Sequence, residues 1–297
     1  MSINYGFCDL CINYANDDKK RLRELLLKVY SMGYETVAIN RNVDESIFET
    51  EKKKKKKGFS NEPTVCPLPE PLEIEDLIEE FRGKLNILSR ITFSYSDPVR
   101  THSLNQSAIL KKYNIFAVLP KNKNAFQHAC SQLNTDIITV NPTNIGWKFT
   151  RKLYMQAIER GLHFEIKYSE IIQSKTRKFA MNYCYLLYTF GKSKKVIISS
   201  GTDDVNLIRN PYDIIALAAV LGLNEVKAKA SILSQSQQAI LKSQARIYGK
   251  SIFTIKVVQN ENCSEDEDEE EEEEDEEDME EDMEEDYEES VIKKMKL

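Results

Sequence analysis

The sequence predicts an α/β fold: a barrel of about seven parallel strands with surrounding helices, followed by a disordered acidic C-terminal tail. Three observations indicate this class. Seven short apolar runs rich in β-branched residues are each followed by an amphipathic stretch or by a gap long enough for a helix. Strands that alternate with helices pair in parallel through helical crossovers. No Gly-rich dinucleotide fingerprint occurs, which favours a TIM-barrel-like arrangement over an open nucleotide-binding sheet.

Each predicted strand is a short, mainly apolar run that ends at a change in composition. The third runs up to Asp97-Pro98, and the fourth stops at Pro120 because proline has no N–H to donate to a ladder. The seven predicted strands are residues 3–10, 36–39, 85–95, 115–119, 136–140, 163–168 and 196–199.

The stretches between these runs have helical periodicity. In the first of them Leu22, Leu26 and Val29 share one face, and Gly33 follows, as glycine commonly does at a helix C-terminus. The predicted helices are residues 17–32, 74–81, 103–111, 124–133, 150–160, 171–190, 211–221 and 225–248.

The chain divides into a body and a tail. We predict a barrel domain over residues 1–258, with an insertion at about 41–84 that is rich in lysine and proline and contains six consecutive lysines at 52–57. Residues 259–297 are predicted to be a disordered acidic tail, because they have little apolar surface to bury and their like charges repel.

The charge of the chain is split between these two parts. Residues 265–289 hold 22 acidic residues and no basic ones, so the net charge of −7 describes neither part. Residues 1–264 hold 38 Lys and Arg against 26 Asp and Glu, a net charge of +12. Such a body is attracted to polyanions, although a solvated lysine-rich surface explains the excess equally well.

Targeting signals are not evident. The longest apolar run, residues 214–223, is far shorter than the roughly 20 residues needed to span a bilayer, and the N-terminus lacks the pattern of a signal peptide. We therefore expect no membrane partner and a reducing compartment, in which the six scattered cysteines need not pair.

Residue types that support catalysis are scarce at the predicted carboxyl ends of the strands, where barrel enzymes place their chemistry. The chain has three histidines and no His-x-His pair, whereas hydrolytic metal barrels need several histidines and carboxylates that converge. Cys8 and Cys11 form a CxxC without a second half, and we interpret them as small apolar strand residues. No nucleophile elbow or P-loop occurs. We assign no catalytic residue, no metal site and no cofactor bound by the protein.

Basic residues are more informative. They recur over neighbouring strand–helix units and can form one continuous face that neutralises backbone phosphates without reading sequence. They are Arg151, Lys152, Lys175, Arg177, Lys178, Lys192, Lys194, Lys195, Arg209, Arg246 and Lys250. Interleaved tyrosines can stack on unpaired bases, although tyrosines so placed also serve as core residues. These are Tyr154, Tyr168, Tyr183 and Tyr185.

Several segments resemble, in order and spacing, the thirty-kilodalton protein subunit of eukaryotic and archaeal ribonuclease P. They are GYETVAIN (33–40), ILSRIT (87–92) with SDP (96–98), AVLPK (117–121), AIERG (157–161) with FEI (164–166), VIISSG (196–201), RNPYD (209–213) and LGL (221–223). The resemblance covers roughly residues 3–250, which is nearly the whole body.

The resemblance implies a TIM-barrel-like fold of the PHP type, known from metal-dependent phosphoesterases, without their full set of metal ligands. It implies a non-catalytic subunit that binds and stabilises the catalytic RNA which removes 5′ leaders from precursor tRNA, with Mg²⁺ expected on the RNA component. The implied partners are ribonuclease P RNA, ribonuclease MRP RNA in ribosomal RNA processing, a small RRM-like subunit and other subunits of the particle, with precursor tRNA contacted indirectly. The implied location is the nucleus and nucleolus.

For contact with RNA we select the basic residues of the matched segments and of the helix and loop positions above. They are Arg90, Arg151, Lys152, Arg177, Lys178, Lys194, Lys195 and Arg209.

The insertion and the tail depart from the compact archaeal pattern. The lysines at 52–57 are a nuclear import signal, an additional RNA clamp or a solvated loop. The tail engages basic partner proteins, restrains the body from non-specific RNA or serves only solubility, and Ser264 before three acidic residues suits an acid-directed kinase.

Two alternatives from other classes remain open at this point. One is a degenerate PHP-type metal-dependent phosphoesterase with Asp9, His163 and Asp203 as residual ligands. The other is an interaction hub in which the acidic tail binds basic proteins.

Overall fold

The computed structural model describes residues 5–14, 18–48, 68–105, 107–145, 147 and 149–249, all of which belong to one compact unit. The lysines at 52–57, Lys250, Ser264 and the acidic tail lie outside the described residues. What was predicted for them stays a prediction.

Seven strands form one sheet in which every neighbouring pair is parallel and the spatial order follows the chain order. The first and last strands meet at a seam, where Asn13 N donates to Thr202 O at 2.9 Å and Gly201 N to Cys11 O at 2.8 Å. The sheet is therefore a nearly closed barrel, and the predicted fold class is confirmed. The strands are β1 (Cys8–Asn13), β2 (Thr36–Asp44), β3 (Asn86–Tyr95), β4 (Ile115–Pro120), β5 (Ile137–Thr139), β6 (His163–Lys167) and β7 (Val196–Ser199).

Helices pack around the outside of the barrel and one closes its amino end. Within the described residues they are α1 (Lys19–Ser31), α2 (Glu75–Glu80), α3 (Val99–Asn105), α4 (Ala108–Lys112), α5 (Lys123–Ser131), α6 (Arg151–Glu159), α7 (Tyr168–Ile172), α8 (Arg177–Gly191), α9 (Pro211–Val220), α10 (Glu225–Ile232) and α11 (Ser234–Tyr248). Short 3-10 turns lie at Pro142–Asn144 and Val205–Leu207. In the described part of the chain no helix is both long and apolar enough to cross a membrane.

The bounds of the first strand were predicted wrongly. Residues 3–10 were expected, but pairing with β2 begins at Cys8 and β1 continues to Asn13. Gly6 has a φ of 51°, so the chain turns there before it enters the sheet. The register between β1 and β2 then shifts between Asp9 and Ile12, which extends the strand toward the carboxyl end of the barrel.

Three predicted helices are each two helices. The stretch 103–111 is α3 and α4, the stretch 171–190 is α7 and α8, and the stretch 225–248 is α10 and α11. Between α7 and α8, Thr176 Oγ1 donates to Glu170 O at 2.6 Å and Arg177 Nε to Ile171 O at 2.9 Å. These side chains satisfy the carbonyl groups left free where α7 ends, so the helix can stop without glycine or proline.

The barrel interior is apolar at its amino end and polar at its carboxyl end. Small and branched side chains from five of the strands, among them Leu10, Ala38 and Ile197, fill the amino half. Ala239 and Ile240 of α11 join this cluster from below and seal the amino end. Because α11 closes one end, only the carboxyl end resembles the mouth of a barrel enzyme.

Candidate nucleic-acid interface

Two charged side chains meet at the centre of the barrel. Arg90 comes from β3 and Glu165 from β6, on opposite sides of the barrel, and both side chains have zero exposure. Arg90 Nη1 donates to Glu165 Oε1 at 2.5 Å and Nη2 to Oε2 at 2.6 Å, while Nη1 also reaches Leu10 O at 2.7 Å. A bidentate pair of this kind fixes both side chains in place.

Neutral polar groups complete the hydrogen bonding around this pair. Ser199 Oγ donates to Glu165 Oε1 at 2.8 Å. Thr92 Oγ1 accepts from Arg90 Nε at 3.3 Å and donates to Asn40 Oδ1 at 2.6 Å. Buried charges persist only when they are paired and hydrogen-bonded, and this network meets that condition.

The protonation of the pair follows from its surroundings. Burial alone would raise the pKa of Glu165, but the charge and hydrogen bonds of Arg90 lower it to about 2. Burial likewise opposes the charged form of Arg90, and the negative groups around it, Glu165 among them, more than compensate and raise its pKa. Both groups are ionised at neutral pH, and each neutralises the other rather than acting on a substrate.

Asp9 lies beside this network without joining it. Its Oδ1 accepts from Ser200 N at 3.0 Å and Cys11 N at 3.2 Å, whereas its Oδ2 has no hydrogen-bond partner among the described residues. Burial raises the pKa of Asp9 despite these two amide donors. Cys8 and Cys11 are free, buried thiols, and burial raises the pKa of each to about 12, so neither supplies a reactive thiolate.

The three residual ligands of the phosphoesterase alternative do not converge. His163 begins β6 and is buried at the amino end of the barrel, and burial together with two nearby lysines lowers its pKa to about 3. Asp203 follows β7 at the opposite end and pairs with Arg21 at 3.6 Å. Among the described residues no group of three or more His, Cys, Asp and Glu side chains is placed to hold a metal ion. The described residues therefore do not bring together the ligand set that a catalytic metal of the PHP type needs.

Positive charge concentrates in the second half of the barrel. The described residues from 5 to 145 carry fourteen Lys and Arg and fourteen Asp and Glu, whereas residues 149–249 carry fifteen against seven. In the first half, Lys19, Lys112 and Lys121 are each paired with a carboxylate. The net positive charge of the described residues therefore lies in residues 149–249. This is the surface that suits a polyanion.

Arg90 was predicted to contact RNA, and that prediction is wrong. Its side chain is fully buried and bound to Glu165, so no RNA reaches it without opening the barrel. Arg246 is likewise committed, because its Nε donates to the buried Asp136 Oδ2 at 3.0 Å.

The other predicted contacts lie at two opposite ends rather than on one face. Arg151 and Lys152 begin α6 and Lys178 lies in the first turn of α8, all exposed at the carboxyl end of the barrel. Lys194 and Lys195 lie between α8 and β7 at the amino end. The 15 residues of α8 put roughly 22 Å between these two groups.

Two of the predicted arginines donate hydrogen bonds to backbone carbonyl groups of the protein itself. Arg177 donates to Ile171 O and Ile172 O at 2.9 and 2.7 Å, and Arg209 Nη1 donates to Asn206 O at 2.8 Å. Their positive charge remains, since backbone carbonyls do not neutralise it. They can attract phosphate but have fewer donors left for it.

Three of the four interleaved tyrosines are core residues. Tyr154, Tyr168 and Tyr183 are buried, and only Tyr185, at 53% exposure, is open to stacking. The sequence analysis also missed Lys227 of α10 and Lys242 of α11, which lie at the same end of the barrel as Lys194 and Lys195. Knowledge of which helices close the barrel was needed to find them.

Fold and site together define a TIM-barrel-like protein with a buried ion pair at its centre and an uncompensated basic surface over its second half. The chain belongs to the family described as RNase P subunit p30, whose model matches residues 6–248. The resemblance found in the sequence is thereby confirmed.

Known relatives agree with this family. The chain is 32% identical to the ribonuclease P protein subunit p30 of Mus musculus, over 89% of this chain and 94% of the mouse protein. It is 31% identical to Protein GAMETOPHYTE DEFECTIVE 1 of Arabidopsis thaliana, over 80% of this chain and 44% of that protein. A chain in the structure of archaeal ribonuclease P with mature tRNA shares the fold, with a TM-score of 0.56 and 15% identity over 87% of this chain and 100% of the archaeal one.

Proposed function

We propose that this protein is a non-catalytic subunit of ribonuclease P that binds and stabilises the RNA component, which removes 5′ leaders from precursor tRNA. Membership of the p30 family carries the proposal. The excess of basic residues in the second half of the barrel supports it, because Lys and Arg that lack carboxylate partners are free to neutralise phosphates.

The chemistry belongs to the RNA in this proposal, with Mg²⁺ on the RNA component. The Arg90–Glu165 pair supports this division of labour, because it fills the centre of the barrel where a PHP-type enzyme would collect its metal ligands. The separation of Asp9, His163 and Asp203 argues in the same direction.

Contact with RNA is assigned to two groups of residues. The carboxyl-end group is Arg151, Lys152, Arg177 and Lys178. Arg209, in the segment that follows β7, belongs to the same end of the barrel. The amino-end group is Lys194 and Lys195. Because the groups lie at opposite ends of α8, we expect them to contact different stretches of the RNA backbone.

The wider assembly extends the proposal. We include ribonuclease MRP RNA as a second RNA partner, a small RRM-like subunit and other subunits of the particle as protein partners, and precursor tRNA as an indirect contact. The corresponding location is the nucleus and nucleolus, where these RNAs would be met.

Recovery of RNA from cells tests the proposal. The full-length chain, tagged and cross-linked, should co-purify with ribonuclease P RNA and MRP RNA, and its depletion should cause precursor tRNAs with 5′ leaders to accumulate. A variant with Lys152, Lys178, Lys194 and Lys195 changed to Glu should recover less of both RNAs, whereas K19E/K112E, which alters two paired lysines, should not. Absence of both RNAs from the wild-type eluate would overturn the proposal.

A further inference from the structure

A cleft opens at the amino end of the barrel, on the side away from the mouth. It measures about 270 Å³ and lies between the end of α6, the loop that joins α8 to β7, and helices α10 and α11. The polar residues that line it are Ser193, Lys194, Lys195, Lys227 and Gln235, and we call it the amino-end cleft.

The loop at its edge has an unusual backbone. Lys192, Ser193 and Lys195 have φ angles of 50°, 56° and 54°, and within the described residues they are the non-glycine residues with positive φ. Side chains rarely adopt this conformation, and where they do the surroundings must impose it. Here Tyr154 Oη donates to Lys194 O at 2.5 Å and Lys227 Nζ to Lys192 O at 3.0 Å. The loop is thus held in a conformation that its sequence does not favour.

One residue that lines this cleft has a buried hydroxyl without a partner among the described residues. Ser193 is 5% exposed, and its Oγ makes no hydrogen bond within the described part of the chain. Buried polar groups are normally hydrogen-bonded, so this hydroxyl in the wall of a cleft indicates that a polar ligand completes it.

The charge of the cleft decides the sign of that ligand. Lys195 Nζ donates to Gln238 Oε1 at 2.8 Å and Lys227 Nζ to a backbone carbonyl, so both ammonium groups meet neutral acceptors and keep donors to spare. No carboxylate among the described residues lies within 4.0 Å of Lys194, Lys195 or Lys227.

The neighbourhood is also positive. Burial lowers the pKa of Lys242 to about 8; the carboxylate of Asp136, which is paired with Arg246, opposes this shift, and the charges of Arg160 and Lys195 add to it. An anion relieves the repulsion among the lysines of the cleft, and lysines beside a serine hydroxyl are suited to a phosphate group, whose oxygens accept several hydrogen bonds at once.

We propose that the amino-end cleft binds one backbone phosphate of RNA, with Lys195 and Lys227 neutralising it and Ser193 Oγ donating to it. The RNA source rests on the proposed function, whereas the phosphate site rests on the cleft itself. RNA would then bind the amino end of the barrel, which α11 closes, and not the carboxyl end, where barrel enzymes bind their substrates.

Salt dependence of RNA binding tests the proposal. With the full-length chain and transcribed ribonuclease P RNA, K195Q/K227Q should reduce the slope of log affinity against log salt by about 0.7–0.9, because the two lysines share one phosphate. The control K19Q/K112Q removes the same charge from paired lysines and should leave the slope unchanged. A reduction about twice as large would mean two separate phosphates and would overturn the single site, as would no reduction at all.

The hydroxyl gives a second, uncharged test. Ser193→Ala should weaken RNA binding by about tenfold and leave the salt slope as in wild type, because a neutral donor releases no counterion. Unchanged affinity in a folded S193A variant contradicts the role of Ser193.

Inorganic phosphate separates this proposal from the proposed function. Added to the full-length protein alone, phosphate should shift the amide resonances of residues 193–195 in wild type and not in K195Q/K227Q. If phosphate binds there while RNA affinity is indifferent to K195Q/K227Q, the ligand is a free phosphorylated molecule and the RNA assignment falls. If neither probe responds, the phosphate site falls, although the protein can still bind RNA through its carboxyl-end group.

Discussion

A guanidinium in the middle of a barrel is an expensive group to bury, and Arg90 shows how the fold accommodates it. Its ionic partner and the hydrogen bonds to Leu10 O and Thr92 leave the charge well solvated by the protein. Removal of one partner is costly because it leaves the other charge unpaired, whereas removal of both is tolerated when apolar side chains fill the space.

We expect Arg90→Met to lower the free energy of unfolding of the full-length chain at pH 7 by about 3–5 kcal/mol. The effect should depend on pH with a defined sign. In wild type the pKa of Glu165 is lowered, so the stability that this group contributes is lost as pH falls from its ordinary value toward about 2. In the variant burial raises that pKa, so the deficit should shrink from pH 7 to pH 4.5. Urea unfolding at both pH values measures this.

Two matched variants control the experiment. R90M/E165M should recover part of the loss, because no buried charge remains. Arg82→Ala breaks an exposed pair with Glu79 and should cost no more than about 1 kcal/mol. Equal losses in Arg82→Ala and Arg90→Met would contradict the assigned role of the central pair.

Lys242 should make stability depend on pH in the alkaline range. Its pKa in the folded protein is about 8, below the ordinary lysine value of about 10.4, so the unfolded chain binds more protons between these values. The free energy of unfolding of wild type should therefore rise relative to Lys242→Met as pH increases from 8 to 10. Parallel pH profiles for the two proteins would show that Lys242 titrates as it does in water.

At the scale of elements, α11 combines three structural roles. It contributes Ala239 and Ile240 to the core inside the barrel and holds the Asp136 carboxylate through Arg246. Its residue Gln235 also lines the amino-end cleft. One helix therefore closes the barrel, stabilises its lower core and forms a wall of the proposed phosphate site.

Adjacent positions of α11 should differ sharply in their response to truncation. Ile240→Ala removes a side chain that is 2% exposed and should cost about 2–4 kcal/mol of unfolding free energy. Leu241→Ala, at a position that is 48% exposed, should cost less than about 1 kcal/mol. Denaturant unfolding of the two variants measures the difference, and similar losses would mean that α11 does not pack as described.

The elements differ in how well sequence predicts them. Alternation of β-branched runs with amphipathic stretches gave all seven strands, because that pattern is set by local burial. By contrast, the break between α10 and α11 at Leu233, where φ is −119° and ψ is −91°, could not be predicted, because no glycine or proline marks it. Arg90 was misassigned for a related reason: a basic residue in a strand has the same local signal whether it faces solvent or a partner from β6, 75 residues away.

At the scale of the whole molecule, charge is distributed unevenly along the chain. The first half of the described barrel is balanced, the second half is basic, and residues 265–289 are acidic in sequence. We propose that the acidic residues compete with external polyanions for the basic surface. The strength of that competition is set by screening, with a Debye length of about 10 Å at 0.1 M salt and about 3 Å at 1 M.

Replacement of the acidic residues at 265–289 by Gln and Asn should raise affinity for an unrelated RNA several-fold at 0.05 M salt, and the gain should fade above 0.3 M. A tail with the same composition in scrambled order should behave as wild type. Filter binding over a salt series measures both. Assembly of the ribonuclease P particle should survive the replacement, and its failure would favour the interaction hub.

The seam between β1 and β7 affects the order in which the barrel can fold. The first strand, β1, pairs with residues 201 and 202, which follow the last strand, β7. Cys8 and Leu10 of β1 also pack against α11, which comes later still in the chain. The edge of β1 stays open until residues 201 and 202 have been made, and the core at the amino end of the barrel stays uncovered until α11 has been made. Local pairing can begin early, but the contacts that complete the barrel are also those most distant along the chain, so they are expected to limit the folding rate. Newly made chains would then expose this edge for longest, which is where a chaperone would be expected to hold them.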